Sequence, residues 1–155
     1  MTKKYIEQYE RVKRWYEKLK IINEGGELKL PNTDYYEDEM LAFFINCYHL
    51  KDWIMNDPIS KVEPKLIEDF ITNSKYLSIC ADICNGTKHL TLNNSRTGKS
   101  MKIGGRDFSL TLRGIKQTFS AKYKIISGDR KYDAFELATK CIEDWDQFLD
   151  LNKLV

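Results

Sequence analysis

A mainly α-helical fold, a bundle of four helices with a small antiparallel β-sheet inserted between the third and the fourth, is predicted by three observations. Apolar residues recur at helical spacing up to His89 and again after Lys131. Between those limits the hydrophobic period drops to two. Glycine, proline and asparagine punctuate the changes.

The first helix is expected over Thr2 to Glu24, where Tyr5, Tyr9, Val12, Trp15 or Tyr16, and Leu19 share a face, and Gly25-Gly26 ends it. A loop through Pro31-Asn32-Thr33 leads to a second helix from about Asp34 to Asn56. Its broad apolar face is Tyr36, Met40, Phe43, Phe44, Cys47, Leu50 and Ile54, and Asp57-Pro58 closes it. The acidic run Asp34 to Glu39 suits a helix start, where carboxylates oppose the positive end of the dipole. A third helix is read over Ser60 to Asn73 and Lys75 to His89, with a break near Asn73-Ser74 and a last turn weakened by Gly86. Strand patterning follows: Phe108, Leu110 and Leu112 alternate with polar residues, as do Phe119, Ala121, Tyr123 and Ile125. Gly104-Gly105, Gly114 and Ser127-Gly128-Asp129 supply turns. The fourth helix runs from about Tyr132 to Leu151, with Ala134, Ala138, Cys141, Trp145 and Phe148 on one side.

The 155 residues, 42% apolar, fit one domain spanning 1–155 with a real core. No run approaches the roughly 18 consecutive apolar residues of a spanning helix, and the start of the chain runs into Tyr5-Ile6-Glu7-Gln8, not an apolar signal segment. A cytoplasmic protein without a membrane partner is expected. Cys47, Cys80, Cys84 and Cys141 all fall in helix-like apolar stretches and read as reduced core residues; no metal and no cofactor is expected. Gly98-Lys99-Ser100 resembles the end of a phosphate-binding loop, but Asn93 stands where that loop needs glycine and no helix follows. The net charge of +2 conceals a basic island: Lys88 to Lys131 holds eleven basic residues against Asp107 and Asp129, a local +9. Such an island favours phosphate-bearing partners, and equally suits a solvated lysine-rich hairpin.

Polar residues stripe two of the helices. Asp82, Asn85 and His89 stand three and then four residues apart, and Asn46, His49 and Trp53 repeat the spacing in the second helix. If the helices pack together, these stripes meet inside the bundle, where buried polar groups must be hydrogen-bonded or kept for chemistry. Trp15, Trp53 and Trp145 are read chiefly as core residues, Trp53 least so.

A bundle with the element Asp82-x-x-Asn85-x-x-Lys88-His89 near the end of its third helix resembles the HEPN domains, small helical bundles of prokaryotic toxin, phage-defence and RNA-cleaving systems. The likeness covers the helical two-thirds of the chain. In catalytic members of that family an Arg-x(4–6)-His motif, usually at a dimer interface, promotes metal-independent attack by a ribose 2′-hydroxyl. His89 matches the histidine, while Cys84, Ile83 or Asp82 stands at the arginine position. The resemblance implies a homodimer and two readings. In one, a metal-independent ribonuclease uses His89 or His49 as base and Lys88 as cation, with Asn85, Asp82 and Asn46 completing the site. Its basic insertion, about 97–127, holds RNA through Lys99, Lys102, Arg106, Arg113, Lys122 and Lys124. In the other, a noncatalytic interaction module uses the same polar residues structurally, and its basic sheet binds a protein or nucleic-acid partner.

Overall fold

The computed structural model describes residues 2–27, 33–89, 94–113 and 116–155, with the side chains of 112, 113 and 116 outside that description. The elements run α1 (Lys4–Glu24), β1 (Gly26–Glu27), α2 (Asp34–Asn56), α3 (Pro64–Asn73), α4 (Lys75–Lys88), β2 (Met101–Arg113), β3 (Lys116–Ser127), β4 (Arg130–Asp133) and α5 (Ala134–Leu151). The mainly helical class and the small antiparallel sheet agree with the sequence reading; β2, β3 and β4 lie between the last two helices as expected, while β1 joins the sheet from between α1 and α2. The described helices number five rather than four, because the break near Asn73-Ser74 is complete.

Ser74 makes that break. Its N–H donates to the Phe70 carbonyl at 2.9 Å and ends α3, while its extended backbone turns the chain and its Oγ accepts from the N–H groups of Tyr76 and Leu77 to open α4. The same hydroxyl donates to Asp144 on α5. One serine therefore fixes the corner between three helices.

α1 lies along α2, α2 packs on α4, and α5 closes the bundle against all three. The shared core includes Val12, Met40, Phe43, Phe44, Leu50, Cys80, Ala81, Ala138, Trp145 and Phe148, none more than 1% exposed. These are the apolar faces that helical periodicity marks out, with Trp145 donating its indole N–H to the Cys47 carbonyl at 3.1 Å. The ends of the chain meet where Tyr5 Oη and Lys3 Nζ both donate to the Leu154 carbonyl.

Asp57, just beyond α2, caps α1 from outside. Its carboxylate accepts from the N–H groups of Ile59 (3.0 Å), Lys4 (2.6 Å) and Tyr5 (3.3 Å). The Ile59 N–H first, with those of Tyr5 and Lys4, holds this carboxyl below its ordinary range against a smaller opposing effect of burial. A carboxyl with a depressed folded value stabilises fully above its unfolded value of about 4 and loses that contribution as pH falls through the folded value. Asp57→Asn should therefore melt several degrees lower at neutral pH, and the gap from the parent should narrow on acidification below about pH 4. Thermal melts of both proteins across that range check the sign; a constant gap would refute it.

β3 is the centre of the sheet. β2 pairs with it along one edge, from Met101↔Ser127 to Arg113↔Lys116, while β1 (Gly26↔Phe119) and β4 (Ser127↔Arg130) share the other edge. Ala121, Tyr123 and Ile125 face inward and are buried; Lys122 and Lys124 face outward and are exposed. The Gly128-Asp129 turn between β3 and β4 places Gly128 at φ +62°, which glycine adopts without steric cost.

β2 carries a bulge between Ile103 and Gly105. Gly104 is the extra residue, and a Cβ there would fall 2.2 Å from Ile126 Cδ1, so only glycine fits. An inserted residue reverses the alternation beyond it. Lys102 faces out opposite Ile126, yet Arg106, four residues on, stands opposite inward-facing Tyr123.

Candidate nucleic-acid interface

Asp82 is fully buried at the middle of α4, and its partners lie across the fold in the turn at 94–100. Its carboxylate accepts from the N–H of Arg96 (2.5 Å) and from both the N–H (3.1 Å) and hydroxyl (2.5 Å) of Thr97. Three donors converging on one buried carboxylate fix a turn that has few apolar contacts of its own.

The turn in turn places Arg96. Its guanidinium reaches Glu68 Oε2 on α3 at 2.8 Å, Tyr48 Oη on α2 at 3.0 Å and Thr72 Oγ1 on α3 at 3.0 Å. Lys51 joins from α2, 2.7 Å from Glu68 Oε1 and 3.3 Å from Asp52. Burial opposes the Glu68 charge, but its bonds to Lys51 and Arg96 prevail and hold it below the ordinary carboxylate range. The path Asp82 to Arg96 to Glu68 to Lys51 is thus a continuous polar seam joining α2, α3, α4 and the turn.

The other polar-stripe residues separate. Asn46 is half-buried and engaged: its carbonyl and Oδ1 accept from Gln8 on α1, and its Nδ2 donates to the Ala42 carbonyl. His49 is exposed, with Nε2 3.7 Å from Cys84 Sγ. Asn85 is half-buried, while Lys88 and His89 are exposed at the end of α4; these three side chains have no hydrogen-bond partner among the described residues. α2 and α4 do pack together, but Asp82 bonds to the turn rather than to Asn46 or His49. Of the tryptophans, Trp145 is fully buried, whereas Trp53 is half-buried beneath the Arg11 guanidinium, 5.3 Å from its ring.

The basic island divides into two places. Lys102, Lys122 and Lys124 lie on the outer face of the sheet, joined there by Lys131, which stands opposite Ile126. The carboxylates on that face among the described strand residues are Asp107, 3.9 Å from Lys124, Asp133, which caps α5 through the Glu136 N–H, and Glu27, opposite Thr118. Arg106 is on the inner face and pairs with Glu37 of α2 at 2.7 Å. The side chain of Arg113 lies outside the described residues. Lys99 leaves this face altogether and sits in the turn before β2, near Arg96 and Arg130.

Three cysteines also come together unannounced by their spacing. The sulfurs of Cys47, Cys80 and Cys141, from α2, α4 and α5, lie within 4.8 Å of one another in the core, a spacing at which three thiolates could hold a soft ion. Burial pushes the Cys80 and Cys141 thiols well up, and both donate to backbone carbonyls, of Phe44 and Tyr76. They fill the core as small hydrophobes. Burial likewise pushes Cys84 up to about 11.

No described helix is long and apolar enough to cross a membrane. No family model matches the chain, and neither a curated protein nor a solved structure matches it. Fold and surface together define a helical bundle that carries a basic, antiparallel sheet.

Proposed function

We propose that this protein is an RNA-associated, HEPN-like module that holds RNA on the outer face of its sheet, while the polar residues of α4 chiefly serve structure. The observation that carries the reading is the outward row of Lys102, Lys122, Lys124 and Lys131, beside which the described strands place Asp107, Asp133, which is held as a helix cap, and Glu27, opposite Thr118 and so four positions along β3 from Lys122. Lys122 and Lys124 are two residues apart on one strand, about 6.7 Å. They can neutralise successive phosphates without rearrangement, and such contacts release counterions and make affinity salt-dependent.

The noncatalytic form is favoured by Asp82, whose carboxylate is spent on Arg96 and Thr97. A second reading, cleavage by a 2′-hydroxyl, keeps support from His89, which is exposed and unbonded beside Lys88 among the described residues. One experiment separates them. The protein is titrated into labelled single-stranded RNA in EDTA at several salt concentrations, with Lys122→Glu/Lys124→Glu and His89→Ala alongside. Binding weakened roughly 10–100-fold by the double reversal, with the salt slope falling by about one per lysine, supports RNA on the sheet. Affinity that ignores both reversals overturns it. Cleavage by the parent that disappears in His89→Ala would turn the module into a ribonuclease.

A further inference from the structure

A cleft of about 270 Å³ opens where three elements converge: the first turn of α4, the turn at 94–100, and the β3–β4 hairpin. Lys75, Arg96, Lys99 and Arg130 line it, and no described aspartate or glutamate does. Arg96 is already balanced by Glu68 behind it. Lys75, Lys99 and Arg130 have no carboxylate within 4.0 Å among the described residues, so three positive charges face one small space uncompensated. Concave walls concentrate the field of like charges, which raises the local concentration of anions.

The cations are placed by the fold. Lys75 Nζ is held 5.1 Å from the Tyr76 ring and 5.5 Å from the Tyr132 ring. The stem of Lys99 lies across Gly128, where an added Cβ would stand 3.0 Å from Lys99 Cδ, so the glycine gives the lysine its path. Arg96 is oriented through Asp82, and Thr97 and the buried Ser78 add hydroxyls to the wall. The volume lies just below that of sites for drug-sized ligands, roughly 300–1,000 Å³. It suits a phosphoryl group with part of its sugar better than a whole nucleotide.

We propose that this cleft binds a terminal phosphate monoester of an RNA strand whose body lies on the outer face of the sheet. A monoester carries about −1.5 to −2 charges at neutral pH, against −1 for each internal diester, and three unpaired cations favour the higher charge. Arg130 and Lys131 are consecutive in β4, so one lines the cleft and the next belongs to the outer row. The inference rests on the RNA-binding reading, and its test is arranged so that the two can fail separately.

Labelled single-stranded RNAs of one sequence are compared with a 5′-phosphate, a 3′-phosphate or hydroxyls at both ends; a hydroxyl-ended RNA one nucleotide longer controls for added charge. The parent should bind one phosphate-ended RNA roughly 10-fold more tightly than both hydroxyl-ended RNAs. Lys99→Ala/Arg130→Ala should erase that preference while hydroxyl-ended RNA binds within about 3-fold of the parent. Lys122→Glu/Lys124→Glu should weaken every RNA and keep the preference. Equal affinity for all ends, or a preference that survives Lys99→Ala/Arg130→Ala, overturns the cleft as a terminal-phosphate site. If no RNA binds, the RNA reading fails and this proposal with it. Inorganic phosphate in thermal melts, against chloride at matched ionic strength, then reports whether the cleft takes a free anion instead.

Discussion

Asp82→Ala is expected to cost about 3 kcal/mol of stability, because it strands two backbone N–H groups and a hydroxyl that now share one buried acceptor. In a chain of this length that is a fall of roughly 6–12 °C in melting temperature. Asp82→Asn keeps the shape and one acceptor oxygen but turns an amide donor toward donors, so it should fall between parent and alanine. The damage should also reach the RNA surface, since the turn that Asp82 fixes carries Lys99: in Asp82→Ala the preference for a terminal phosphate weakens before binding to the sheet does. His89→Ala, by contrast, removes an exposed side chain without a partner among the described residues and should stay within about 0.5 kcal/mol. Urea denaturation of the three variants provides the measurement. An Asp82→Ala protein as stable as the parent, or a His89→Ala protein that loses more than it, would reverse the assignment of structural and exposed roles along α4.

Trp145→Ala should cost about 4 kcal/mol, at the upper end for a core substitution. The indole is fully buried, meets Phe148 edge-on at 5.8 Å between ring centroids, and donates a second hydrogen bond to the Cys47 carbonyl, which α2 already pairs, so its removal leaves a cavity and forfeits that extra bond. Trp145→Phe fills much of the space and forfeits the hydrogen bond, and should cost roughly 1–2 kcal/mol. The ordering of the two variants in denaturant separates packing from hydrogen bonding. Equal losses would assign the whole effect to the lost N–H, and a loss below 1 kcal/mol for alanine would mean the bundle closes over the gap.

Helical periodicity located α1, α2 and α5 to within two residues at each end, because each buries one continuous apolar face. The break at Ser74 was legible too, but not its completeness, which depends on Asp144 from a helix 70 residues away. β1 was not legible: two residues carry no period, and Gly26 finds its partner Phe119 only through the fold. In the site, the basic island was plain in the sequence and its division was not. Simple alternation puts Arg106 beside Lys102, and the one-residue bulge at Gly104 sends it to Glu37 on the opposite face. The Asp82 stripe pointed toward a polar cluster on a neighbouring helix. Its true partners are two backbone N–H groups and the Thr97 hydroxyl of a turn, which no helical side-chain pattern can announce.

The bond from Trp145 to Cys47 spans 98 residues. At about 5–20 residues per second, a ribosome leaves the inner face of α2 waiting roughly 5–20 seconds for α5 to arrive and cover it. Of the described helices, the four that precede α5 are all that is available to cover Phe43, Phe44 and Cys47 during synthesis, so the groove that α5 fills stays open until the last helix is made.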